Sequence, residues 1–90
     1  MSMDEQFEQM QYFQNALIKF NEQLSNSMRD LESRHEQVSP HWQDAMRREY
    51  DSQWTPLDET MKHYLRSEGP GYVEFLTIKV HALGRYLNGG

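Results

Sequence analysis

Four histidines and fourteen carboxylates are the side chains of this sequence that could bind a metal ion or move a proton. His35, His41, His63 and His81 are spread along the chain, and no two lie three or four residues apart. One turn of helix therefore never presents an imidazole pair to a zinc ion. Cysteine is absent, which excludes disulfides, thiolate nucleophiles and cysteine-type zinc sites. A carboxylate becomes a general acid or base when a desolvated, concave setting shifts its pKa. Here the acids alternate with bases at helical spacing instead: Asp58 and Glu59 precede Lys62, and Arg47 and Arg48 precede Asp51. Such pairs stabilise a solvated helix face by about 0.2–0.5 kcal/mol each. No Ser/His/Asp order, glycine-rich phosphate loop or nucleotide motif accompanies them. The expectation is a protein that is not an enzyme, with no metal and no cofactor.

The elements that must position these residues follow from hydrophobic spacing. Met3, Met10, Leu17, Leu24, Leu31 and Val38 recur every seventh residue, with Phe13 and Phe20 at the d positions between them. A strict heptad keeps one stripe of an α-helix facing a partner helix. Phe7 and Met28 widen this a/d seam, while Ser27 and Arg34 weaken it at d positions. Without Pro or Gly, and with Asp4, Glu5 and Glu8 where the helix dipole favours acids, residues 4–37 read as one long helix.

Ser39-Pro40 then reads as N-cap and first residue of a second helix, 40–67. Its apolar stripe is Trp42, Met46, Tyr50, Trp54, Leu57, Met61, Tyr64 and Leu65. Thr55-Pro56-Leu57-Asp58 resembles a capping box, so this helix either kinks near 55–56 or stops and restarts. Because the stripe keeps its phase across Pro56, the kinked continuous helix is preferred. Gly69-Pro70-Gly71 is the clearest breaker, and Val73, Leu76, Val80, Leu83 and Leu87 form a third stripe over 71–87. The expected fold is all-α, a single domain over 1–90: a long antiparallel helical hairpin with a shorter third helix packed against it.

Composition limits what such a fold can do. Ninety residues with 37% hydrophobic content and a mean hydropathy of −0.95 leave little for a private core, so a partner should cover part of the apolar surface. The net charge is −5, and residues 1–38 carry seven acids against Lys19, Arg29 and Arg34. With no basic face to neutralise phosphates, nucleic acid is not an expected partner. The polar, acidic start has no signal-peptide character, and the most apolar stretch, 72–87, is too short and too charged to span a bilayer. No membrane insertion and a cytoplasmic location are expected, with export by a specialised secretion system as the alternative.

Trp42, Asp44, Ala45 and Tyr50 complete the pattern. A Trp near mid-chain, at a bend between helices and eight residues before an aromatic, resembles the WXG100 (ESAT-6-like) family over roughly residues 10–65. Asp44 stands where that family has Gly, giving Trp-x-Asp. Tyr64-Leu65-Arg66-Ser67-Glu68 matches the letters of the family's export signal. The resemblance implies a two-helix protein that pairs with itself or with a partner protein. On the residues alone, Trp42 either plugs the bend or stays exposed as a binding hot spot. The candidate partner-binding residues are Phe7, Met10, Phe13, Leu17, Phe20, Leu24, Trp42, Tyr50 and Trp54. A non-catalytic interaction module that forms a homo- or hetero-dimer or a larger assembly is the leading expectation. An adaptor subunit of a larger bacterial system is the alternative. A third reading starts from Gly89-Gly90, an ending shared with ubiquitin-like modifiers, and would make Gly90 a conjugation point.

Overall fold

A computed structural model describes residues 2–89, and these are all-α, with no strand among them. Helix α1 spans Met3–Val38, α2 spans Asp44–His63 and α3 spans Gly69–Leu87. The start of α1 is capped by Ser2, whose Oγ accepts a hydrogen bond from the Glu5 N–H at 3.1 Å, and Asp4 and Glu5 occupy its first turn. A 3₁₀ turn, Ser39–His41, follows directly, with Ser39 buried. Trp42 and Gln43 are extended (ψ 138° and 159°) and redirect the chain, so α2 begins at Asp44 and not at the expected Pro40. Asp44 still occupies a first turn, where its charge suits the helix dipole.

The expected third helix is absent as a separate element. Two long helices make up the molecule, because α2 runs through a π-helical turn, Tyr64–Glu68, straight into α3. His63, Tyr64, Glu68 and Gly69 all keep right-handed helical angles, and the Gly69 N–H donates to the Tyr64 carbonyl. A proline ring collides with the carbonyl four residues earlier and lacks the N–H that would bond to it. The wider π turn sits directly before Pro70 and gives the ring room. Pro56 is likewise inside a helix, α2. It and Ser52, whose carbonyl loses its usual partner, are both exposed, on the solvent side of the rod.

The continuous helix 44–87 lies alongside α1 in the opposite direction. Phe7 packs near Gly84, Gln14 bonds to Thr77, Asn21 to Tyr64, and His35 meets Tyr50 and Trp54. The rod measures 66 × 20 × 16 Å. Its only buried apolar residues among those described are Met28, Leu76 and Val80, at 4–6% exposure. Close backbone approach is concentrated between α1 and α3, while α2 buries no residue. None of these helices is long and apolar enough to cross a membrane.

Candidate functional site

The seam between the helices is centred one step away from the a/d stripe. The line of α1 that lies against the second rod is Phe7, Gln14, Asn21, Met28 and His35, spaced by sevens and all buried or half-buried. Three of its five members are polar, and each has a partner across the seam. Gln14 Nε2 donates to Thr77 Oγ1 at 2.7 Å, and that hydroxyl donates to the Val73 carbonyl. Tyr64 OH donates to Asn21 Oδ1 at 2.8 Å. His35 Nδ1 lies 2.8 Å from Tyr50 OH. Satisfied polar rungs at heptad intervals fix the register of two helices, because a slip would strand each of them unpaired.

Met10, Leu17 and Leu24 flank this line, half-buried at its edge. Phe13 and Phe20 do not enter the seam: they stand on the lateral surface at 50% and 51% exposure. There the Phe13 ring meets Tyr72 edge-on at 6.1 Å, and Phe20 meets Tyr64 edge-on at 6.2 Å. Tyr72 stacks on Phe75, and Lys79 Nζ sits 5.5 Å above the Phe75 ring. Between the rods on this flank opens an apolar groove of about 270 Å³, lined by Phe20, Leu24, Thr60, Met61, Tyr64 and Glu68.

A second cluster occupies the end of the rod beside the bend. The His35 ring is stacked on Trp54 (4.6 Å, 10° between planes) and on Tyr50 (5.2 Å, 12°), and Trp42 tilts onto Tyr50 at 4.3 Å. Trp42, Tyr50 and Trp54 are therefore together, as partly exposed side chains that pack on one another. Sequence reasoning missed His35 as a member. Its signal was position, since it continues the heptad line of Phe7, Gln14, Asn21 and Met28.

The other titratable groups are dispersed. His41 lies in the 3₁₀ turn, His63 approaches Glu68 at 3.3 Å, and His81 is on α3. Among the described residues no three His, Asp or Glu side chains gather as metal ligands. Lys62 bridges the rods, 3.0 Å from Asp58 and 3.5 Å from Glu32. The hydrogen bond to Asp58 and the two nearby carboxylates hold its pKa above the ordinary lysine value. Glu8 does the same to Tyr12, chiefly by accepting the hydrogen bond from its hydroxyl.

Gly89 adopts φ 74° and donates its N–H to the Tyr86 carbonyl, a left-handed helix cap that favours glycine on backbone grounds. The proposed conjugation point, Gly90, lies outside the described residues. Compared with protein-family models, curated proteins and solved structures, the chain matches none.

Proposed function

We propose that this chain is a non-catalytic helical interaction module, WXG100-like in arrangement, whose antiparallel two-helix rod pairs with another protein chain. The single observation that carries this reading is the lateral flank, where Phe13, Phe20, Tyr72 and Phe75 stand about half exposed beside an apolar groove. Large aromatic rings of this kind are the residues that supply most of the energy when a protein surface is covered. Phe13 and Phe20 each meet one tyrosine ring at near right angles and keep about half of their own surface exposed. Of the candidate partner-binding residues, Phe13 and Phe20 lie at the centre of this surface, with Leu24 lining the groove. Phe7, Met10 and Leu17 support it from the seam, and Trp42, Tyr50 and Trp54 form the separate cluster at the bend.

Affinity capture with the purified protein tests the reading, using wild type beside a Phe13→Ser/Phe20→Ser double variant of equal helical content. The expected result is a stoichiometric protein partner, itself or another, that the variant retains at least tenfold less well. A partner held equally by both proteins, or no partner for either, contradicts it.

A further inference from the structure

We infer that the groove between α1 and α3 near the chain ends binds a small organic oxyanion, a carboxylate or phosphate carried on an apolar body. The groove measures about 480 Å³ and is walled by Gln11 and Gln14 from α1 and by His81 and Arg85 from α3. Small-molecule sites commonly occupy roughly 300–1,000 Å³. It shares no lining residue with the groove beside Phe20. Gln11 and Phe13 are about 200° apart around α1, so the two grooves open on different sides of the rod. They can be occupied independently.

The first support is charge. Arg34 is paired with Asp30, Arg47 with Asp51 and Lys62 with Asp58 and Glu32, while His63 approaches Glu68. Among the described residues no carboxylate stands within ion-pairing distance of the Arg85 guanidinium or the His81 ring. Both side chains are exposed and four residues apart, on one face of α3. That helix holds Lys79 and Arg85 against Glu74 alone, whereas acids outnumber bases on α1 and α2. Glu8, the acid nearest Gln11 in sequence, already accepts the Tyr12 hydroxyl at 3.0 Å. A guanidinium in this setting matches a carboxylate or phosphate, which it grips through two parallel N–H bonds.

The second support is the mixed lining. Gln11 is exposed, and its amide can donate to an oxyanion. Gln14 is tied to Thr77 at 2.7 Å, which fixes that part of the wall. Phe7, Val80 and Gly84 complete the lining with apolar surface. Gly84 keeps this part open, since a Cβ there would stand 3.3 Å from the Phe7 ring. A bare anion satisfies only the polar part of such a groove, and an anion carrying a ring or alkyl body satisfies both. Because the lining comes from two helices, this ligand ties α1 to α3.

NMR titration of the purified full chain with phenyl phosphate and with benzoate tests this, with inorganic phosphate as the bare anion. Two charge-matched variants accompany wild type. Arg85→Gln removes the guanidinium of the groove, and Arg48→Gln removes one on α2 that does not line it. Both positions are exposed, and circular dichroism checks that helical content is kept. The expected result is a saturable shift of the Gln11, Gln14 and Arg85 side-chain N–H signals, with a millimolar or tighter Kd for at least one organic probe. Arg85→Gln should weaken that binding at least fivefold and Arg48→Gln less than twofold. Inorganic phosphate should bind at least threefold more weakly than the better organic probe. No saturable shift with either organic probe overturns the site. Equal sensitivity, or equal insensitivity, to the two variants overturns Arg85 as its anchor. Inorganic phosphate binding as tightly as the organic probes overturns the apolar part of the assignment.

Discussion

The two ends of the rod are held in different ways. Toward the chain termini, α1 and α3 approach closely because residues at the contact are small or mutually bonded. A Cβ at Gly69 would lie 3.0 Å from the Tyr64 ring and 3.2 Å from Asn21, and one at Gly84 would lie 3.3 Å from the Phe7 ring. Leu76 and Val80 are buried in this half. Toward the bend, α1 and α2 are spaced by rings: His35, Tyr50 and Trp54 lie flat against one another, and Lys62 reaches across to Glu32. Two of the three buried apolar residues lie in the first half, while the second combines buried Met28 with stacked rings and solvated charge pairs. A short chain can thus fix its register and still leave large rings uncovered on its flank.

That contrast is broken most forcefully at Leu76. Its truncation to Ala should cost about 2–5 kcal/mol, the range for buried leucines. Trp54→Ala, in the ring-spaced half, should cost about 1–2 kcal/mol despite the larger side chain, because the indole is only half-buried. Chemical denaturation of the two variants measures both, and a Trp54→Ala loss exceeding that of Leu76→Ala would invert the comparison.

The glycines sharpen it. Gly69→Val should destabilise by about 1–3 kcal/mol, since the new side chain meets the Tyr64 ring of its own rod and Asn21 across the seam. Gly71 has open space around its Cβ position and sits inside α3, so Gly71→Ala should stabilise by about 0.5–1 kcal/mol. Opposite signs two residues apart, read from thermal midpoints, are the expected outcome. If Gly71→Ala destabilises, residues 69–71 are not the continuous helix described.

The smallest effect belongs to Lys62. Its folded pKa is raised above 10.5, so the stabilisation it brings is complete below that pH and is lost as pH rises through the folded value. Wild type should exceed Lys62→Met in stability at neutral pH, with the gap narrowing in salt and closing at strongly alkaline pH. A gap that widens with pH would reverse the sign of the linkage.

Periodicity made the all-α class and the first long helix legible, because no proline or glycine interrupts the α1 stripe. The second rod was harder. Gly69-Pro70-Gly71 carries every local sign of a break, yet the helix persists because the π turn absorbs Pro70 and Gly69 lets the rods approach. One signal was present: Met61, Leu65, Gly69 and Val73 follow one another in four-residue steps, a winding slower than 3.6 residues per turn that the π turn supplies. The candidate site was half legible. Phe13 and Phe20 stand out as apolar at heptad d positions, but their outward direction depends on Gln14 and Asn21 taking the centre of the seam. Hydrophobic patterning reads those two residues as surface. Only the partners that satisfy them, Thr77 and Tyr64, reveal otherwise.

The most direct test is the thermal midpoint of wild type over a hundredfold range of protein concentration, run beside the Phe13→Ser/Phe20→Ser variant. A chain that pairs with itself through the Phe13 and Phe20 flank melts several degrees higher at the top of that range, since association stabilises the folded state by mass action. The double variant should melt at one temperature throughout. A wild-type midpoint that does not move with concentration would contradict self-pairing through this flank.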